Sequence, residues 1–401
     1  MPPRQGERRA PARSNLIRTQ PAGRWIPARR RPPSGLWYPR GVELQALGWD
    51  DGFAADFRSR AAEGLVPGRV TLEHQHIYTV HTGQSDLLAT VAGGLRHRIT
   101  ARREYPAVGD WVALRALQAG RRGVIQDVLP RRSKFSRKVA GDETDEQIVA
   151  ANIDTVFLMM GLDRDFSLRR IERYLATAHE GGASPVIVLN KTDVCDDVDA
   201  CVAEVEAAAG GAPVVAVSTK IDAQLAAIQP FLAPGRTIAL LGSSGVGKST
   251  LVNRLVGHDL QRTRAVRESD QKGRHTTTHR QLIVLPGGAL LIDTPGLREL
   301  QLWDTGDGLG AAFDDIEALA PGCRFRDCRH DLEPGCAVKA AVDEGRLEER
   351  RLQSYLELRR EQDALARRQD ERACLEQKRQ GKVLARAIKN FYQGSRKRSS
   401  Q

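Results

Sequence analysis

The stretch LLGSSGVGKSTLVNRLVG, residues 240–257, passes from an apolar run through a glycine-rich turn into a helical pattern. Within it Gly242, Ser243, Ser244, Gly245, Val246, Gly247, Lys248 and Ser249 fit G-x-x-x-x-G-K-[ST] in the strand-to-helix setting that the motif needs. Glycines let successive backbone N–H groups turn inward around phosphate oxygens, and the helix N-terminus adds partial positive charge. Lys248 is placed to reach β- and γ-phosphates and Ser249 to bind Mg²⁺, with Thr250 a further polar group of the turn. These residues make a phosphate cradle.

The base is read elsewhere. Asn190-Lys191-Thr192-Asp193 ends the run PVIVLN, at the sheet edge where open α/β folds bind ligands. The Asp193 carboxylate can accept paired hydrogen bonds from guanine N1–H and the 2-amino group. Adenine, with an acceptor at N1 and no 2-amino group, would leave that carboxylate unpaired, which discriminates strongly. Lys191 can lay its stem over the base, and Asn190 can tie the loop to the cradle. Ser218, in VSTK at residues 217–220, ends the next strand where backbone can meet guanine O6. The expected ligands are therefore GTP and GDP.

Asp293 and Gly296 belong to DTPG, at the end of the run ALLIDTPG. Asp293 suits a water-mediated Mg²⁺ contact, and the Gly296 N–H can meet a γ-phosphate. Between cradle and DTPG lies GRHTTTHR, residues 273–280, where a switch loop must close on Mg²⁺. One of Thr276, Thr277 and Thr278 should supply the ligand, and Thr277 is the one expected to. The residue after DTPG is Leu297, which has no donor or acceptor to hold an attacking water. His275 is the nearest candidate for that task, accepting a hydrogen bond as neutral imidazole once the loop closes.

A second chemistry sits downstream. Cys323, Cys328, His330 and Cys336 place three thiols and an imidazole within fourteen residues, matching a closed Cys₃His zinc site. Four protein ligands leave no open position, so the zinc should be structural. Cys195, Cys201 and Cys374 stand apart and read as ordinary residues.

The elements that must position these groups follow from patterning. Short β-type runs between residues 69 and 129, separated by glycine-rich turns, predict a small barrel. Arg96, Arg98, Arg102, Arg103, Arg121, Arg122, Arg131, Arg132, Lys134, Arg137 and Lys138 stand on its later strands and exit, a pattern suited to nucleic acid. From residue 150 strands alternate with helices, predicting a mostly parallel sheet with helices on both faces. After residue 304 the pattern is helical apart from the cysteine knot. The expected division is a basic arm 1–44, an OB-type β-barrel 45–138, a P-loop domain 139–303 and a zinc-binding helical domain with a basic tail 304–401. In the tail, GKVLARAIKNFY segregates apolar from basic residues at helical spacing, one side for protein and one for phosphates.

The net charge of +11 is concentrated at the ends. Residues 1–40 hold ten arginines against Glu7, residues 376–401 hold eight basic residues against Glu376, and the body between is mildly acidic. Such arms suit a polyanion, nucleic acid ahead of membrane. No apolar run approaches the roughly eighteen residues of a membrane span. The start of the chain has no apolar core between its arginines, so a secretory signal is not expected. A cytoplasmic, monomeric protein is the expectation.

The order of motifs is unusual: the base reader precedes the cradle, whereas common GTPases run in the opposite order. That is a circular permutation, permissible because a sheet is specified by strand neighbours and packing rather than by where the chain is cut. The permuted order, with GSSGVGKSTLVN, GRHTTT, DTPG and CRFRDCRHDLEPGCAV behind a basic small barrel, resembles the ribosome small subunit-dependent GTPase A family over residues 45–392. The resemblance implies an OB-fold, a permuted GTPase domain and a zinc-binding helical domain. It implies an assembly factor that binds the 30S subunit and its 16S rRNA late in maturation and hydrolyses GTP when stimulated there. It also points to His275 as the catalytic histidine. The long arm lies outside the shared pattern, and VSTK has threonine where many GTPases have alanine. A second reading is an RNA-binding regulator that uses GTP as a ligand with negligible turnover.

Overall fold

The computed structural model describes residues 42–74, 76–117, 121–139, 142–257, 280–293, 308–331, 333–364 and 367. The first element of note is helix α1 (Asp51–Ala62), capped by Asp50, whose carboxylate accepts from the N–H groups of Gly52 and Phe53. Five strands follow: β1 (Val66–His74), β2 (Ile77–His81), β3 (Asp86–Val91), β4 (Trp111–Ala116) and β5 (Arg122–Val128). β1 pairs antiparallel with both β2 and β4, β3 pairs parallel with β5, and β4 pairs antiparallel with β5. With β2 against β3, the ring closes as an OB-type barrel. Alternate residues point inward, so Val70, Tyr78, Val80, Leu87, Ala89, Val112, Leu114 and Ile125 fill it. Helix α2 (Gly93–Arg98) buries Leu95 against this core. A hairpin, β6 (Lys134–Val139) and β7 (Asp142–Ala151), leads away from the barrel.

The remaining strands are β8 (Thr155–Gly161), β9 (Ser184–Asn190), β10 (Val214–Ala216), β11 (Thr237–Gly242), β12 (Arg280–Val284) and β13 (Leu290–Asp293). Their order is β10-β9-β8-β11-β13-β12, parallel except that β12 runs antiparallel to β13. Side-chain alternation sorts the apolar runs between two cores. Val156, Leu158, Met160, Ile187 and Leu189 face helices α3 (Leu168–Glu180) and α4 (Val198–Ala208). Phe157, Met159, Val186, Val188 and Leu240 face α5 (Lys248–Val256), which buries Leu251, Val252, Leu255 and Val256. Runs buried on both faces are what a parallel sheet demands.

Barrel and sheet are one hydrogen-bonded surface, because β12 pairs antiparallel with β1 through Leu72–Gln281 and Glu73–Arg280. Arg280 and Glu73 add an ion pair at 3.1 Å. Behind it Arg69 is 2% exposed and donates to Gly109 O, Leu47 O, Asn152 O and Thr237 Oγ1. One guanidinium thereby joins the barrel, the segment before it, the linker and β11. Burial pulls its pKa down to about 10, which still leaves it charged at neutral pH.

Beyond β13 the described chain is helical. Short helices Gly308–Ala312, Asp314–Leu319 and Ala337–Asp343 precede a longer one over residues 349–364. Arg351 fastens that helix inward, donating to Asp315, Glu172 and Ala312 O. Arg169–Glu357 and Arg173–Glu361 repeat the link at the surface. Among the described residues no helix is long and apolar enough to cross a membrane. The basic arm up to residue 41 and the tail from residue 368 lie outside the described residues.

Candidate nucleotide site and metal centre

β11 ends in the predicted cradle, and α5 begins on its far side. Two glycines there are demanded by geometry. Gly242 lies at φ 157° and a Cβ would come within 2.5 Å of Met159 O; Gly247 lies at φ 104° and a Cβ would come within 2.2 Å of Asn190 Nδ2. Only glycine accepts both conformation and contact. Val246 is buried in the α5 core, while Ser244, Gly245 and Thr250 are exposed and Ser249 is half-buried. Lys248 Nζ donates to Gly242 O at 2.6 Å and to Ser243 O, keeping its ammonium over the loop.

Asn190 is the link between cradle and upstream turn. It ends β9, is 1% exposed, donates from Nδ2 to Val246 O at 2.7 Å and accepts at Oδ1 from Thr219 N at 2.9 Å. It therefore clamps the loop before α5 to the loop after β10. Lys191 follows in the left-handed region, φ 70°, with Nζ 2.5 Å from Asp163. Asp193 turns back toward the β10 loop, where Ser218 Oγ donates to it at 2.7 Å and Lys220 Nζ at 2.7 Å. Those two donors, Lys220 first, hold its carboxyl below the usual carboxylate range. Asp193 stays ionised, as an acceptor for two N–H groups must. Asp293 closes β13 in the parallel register beside β11, at the same sheet edge.

Three residues of this region carry no motif. Asp163 and Asp165 come from the loop after β8; Asp163 orients Lys191, and Asp165 accepts from Ser243 Oγ at 2.5 Å while pairing with Arg170 at 2.7 Å. Gln224 Oε1 accepts from Thr192 Oγ1 at 2.9 Å and from Ser218 N at 2.5 Å, bracing the turn from below. No spacing in the sequence marks them, since Lys191, Ser243 and Thr192 reach them from other loops of the sheet edge. His275, Thr277 and Gly296 lie outside the described residues.

The cysteine knot is assembled as its spacing suggests. The ligand atoms of Cys323, Cys328, His330 and Cys336 all lie within 4.8 Å of one another. Cys323 Sγ to Cys336 Sγ is 3.8 Å, Cys323 Sγ to His330 Nδ1 is 3.6 Å, and His330 Nδ1 to Cys336 Sγ is 3.4 Å. A tetrahedron with Zn–S near 2.3 Å and Zn–N near 2.0 Å has edges of about 3.8 and about 3.5 Å. The separations thus suit a tetrahedral ion of that size. The N-terminus of the helix Ala337–Asp343 points at two thiols. Burial opposes ionisation of Cys323, but N–H groups of Ala337 and Val338 hold its pKa below the ordinary value, and Lys339 N donates to Cys336 Sγ. Burial, aided by the Arg359 charge, lowers the His330 pKa and favours the neutral imidazole that a metal needs. This cluster could hold one structural metal ion.

The basic face on the barrel is smaller than the sequence suggests. Arg131 donates through Nε and Nη2 to Asp110, and Arg132 grips Asp50 while stacking over Phe53 at 3.7 Å. Arg96, Arg98, Arg102, Arg103, Arg121 and Arg122 are exposed.

A parallel sheet whose phosphate loop follows, rather than precedes, the N-K-x-D turn, set between a five-stranded barrel and a helical Cys₃His unit, defines a circularly permuted GTPase. Residues 128–303 match the model of the RsgA GTPase family. A relative from Opitutus terrae, "Small ribosomal subunit biogenesis GTPase RsgA", is 50% identical over 370 residues, covering 89% of this chain and 98% of its own. One of the same name from Syntrophotalea carbinolica is 41% identical, covering 87% of this chain and 98% of its own. Among solved structures, YjeQ from Thermotoga maritima is 28% identical with a TM-score of 0.57, covering 74% of this chain and 98% of that one. YloQ, described as a circularly permuted GTPase, is 27% identical with a TM-score of 0.55, covering 75% and 96%. The chain belongs to the RsgA GTPase family and is a GTP-hydrolysing enzyme.

Proposed function

We propose that this chain is a GTPase that acts in late assembly of the small ribosomal subunit, binds its 16S rRNA, and hydrolyses GTP faster when docked there. The observation that supports it most is the Asn190 clamp. It locks a turn carrying an ionised aspartate to a phosphate loop, as a site reading guanine and triphosphate together requires. The names of the relatives supply the small subunit as the partner. In this reading Gly242–Thr250 hold the phosphates, Ser249 and Thr277 bind Mg²⁺, Asp293 and Gly296 complete the γ-phosphate end, and Asn190, Lys191, Asp193 and Ser218 read guanine. The metal of the Cys₃His knot is zinc, whose tetrahedral edges the cluster fits. The arm 1–44, barrel 45–138, GTPase domain 139–303 and helical domain 304–401 divide the work, with exposed barrel arginines facing rRNA phosphates. The protein acts as a cytoplasmic monomer.

Because Leu297 cannot orient water, turnover is slow until the loop bearing His275 closes on the subunit. Multiple-turnover GTP hydrolysis measured with and without 30S particles tests this: the account expects clear stimulation by 30S. His275→Ala should retain GTP and 30S binding and lose most of the stimulated rate. Absence of stimulation would instead favour a regulator that uses GTP only as a ligand.

A further inference from the structure

Cys195 and Cys201 carry no metal-ligand spacing, yet their Sγ atoms lie 3.9 Å apart, both half-exposed. Cys195 sits two residues after Asp193, at the end of the single 3₁₀ turn Thr192–Val194. Cys201 stands in the first turns of α4, which is anchored through buried Val202 and Val205. The turn, by contrast, buries none of its three residues, and Val194 is 57% exposed. The two sulfurs therefore belong to one element anchored by buried side chains and one held by hydrogen bonds at its rim, and the second carries the base-reading aspartate.

We propose that Cys195 and Cys201 form a reversible disulfide that couples the redox state of the protein to its affinity for guanine nucleotide. The idea rests on Asp193 reading the base. Peroxide is the oxidant class that fits two neighbouring thiols. The Cys195 thiolate attacks one peroxide oxygen, breaking the O–O bond to give a sulfenic acid and hydroxide. Cys201 sulfur then attacks the Cys195 sulfur, forming S–S and expelling the sulfenic oxygen as water with the Cys201 proton. Two thiols lose two electrons in all, and one peroxide becomes two waters. Burial, and next the adjoining thiol, push the Cys201 pKa up, which fits Cys195 reacting first and Cys201 resolving. Transient dithiol–disulfide pairs of this kind are the form in which intracellular proteins use oxidation.

Closing the bond brings the sulfurs from 3.9 Å to about 2.05 Å. Side-chain rotation takes up part of that closure and the rest falls on the turn, which buries none of its residues, and only Val194 separates Cys195 from Asp193. Paired hydrogen bonds to a base tolerate about 0.5 Å of misplacement. The oxidised form should therefore bind GDP more weakly, by about tenfold. By reciprocity, bound GDP must shift the dithiol–disulfide equilibrium toward the dithiol by the same factor.

The test uses the full-length, metal-loaded protein, treated with hydrogen peroxide and then mapped by peptide mass spectrometry. A cross-link between Cys195 and Cys201, with loss of two hydrogens, is expected, with GDP affinity falling and returning after dithiothreitol. Cys201→Ser should bind GDP as the reduced protein does and form no such cross-link. Titration in glutathione buffers with and without GDP should show the reciprocal shift. Failure of the 195–201 disulfide to form, or its quantitative formation with unchanged GDP affinity, would overturn the proposal. If Asp193→Asn in the reduced protein also leaves GDP affinity unchanged, the base-reading assignment has failed instead.

Discussion

The nucleotide site and the cysteine knot are both built from short motifs, but they are held in opposite ways. The first gathers residues from four loops, with Asn190 reaching Val246 and Thr219 and with Gln224 bridging Thr192 and Ser218. Its described parts stand at the ends of strands in a sheet buried on both faces, which fixes where each loop begins. The knot gathers four ligands from fourteen residues of one strandless segment, with Cys328 and Cys336 buried at the edge of the main core. Burial pushes the Cys328 pKa up to about 11 and favours its neutral thiol, so a thiolate at that position needs a cation beside it. Preorganisation in one region comes from packing; in the other it would come from the metal ion that the cluster could hold.

Removing the metal is the sharpest way to separate the two. Chelation, or Cys328→Ser, should release a structural ion and remove most amide-exchange protection over residues 308–347, the largest effect expected here. Metal-linked folding energies reach about 10 kcal/mol in isolated fingers. GDP affinity should change by less than about threefold, because, among the described residues, the side-chain hydrogen bonds of the four ligands run within residues 323–339. Hydrogen exchange and calorimetry on the same sample check both halves, and a parallel loss of GDP binding would break the distinction.

Asn190→Ala attacks the other side. It leaves Val246 O and Thr219 N without this partner in a buried place, costing about 2–4 kcal/mol in stability and weakening GDP binding, with metal content unchanged. Equilibrium denaturation and metal analysis measure it.

The smallest effect concerns Asp50, whose pKa is lowered to about 2, first by Arg132. A depressed carboxyl stabilises the fold fully above its ordinary value near 3.8 and loses that contribution as pH falls through about 2. Asp50→Asn keeps the helix cap but not the charge. Its Tm deficit should be constant above pH 4 or so and shrink below. Both side chains are about half exposed, 48% and 50%, so the deficit should not exceed about 1 kcal/mol.

Much of the candidate site was legible because it is built from backbone turns and from residues at fixed spacing. Gly242 to Ser249, Asn190 to Asp193 and the four knot ligands are of that kind, and so are the doubly buried strands. What escaped reading depends on meetings across the fold. Asp163, Asp165 and Gln224 acquire roles only where separate loops converge. Arg131 and Arg132 read as part of a basic face, yet Asp110 and Asp50 claim them, the latter 82 residues distant. Cys195 and Cys201 read as unrelated because the segment between them is part turn and part helix start, where no single period relates side chains six apart.

The central claim is that Asp193 makes this permuted sheet edge a guanine site. Titration of folded Asp193→Asn with GDP and with xanthosine diphosphate tests it most directly. The amide donates to the xanthine 2-oxo group, so GDP affinity should fall about 100-fold while xanthosine diphosphate binding improves. Wild-type GDP affinity in the folded variant, with no gain for xanthosine diphosphate, would contradict it.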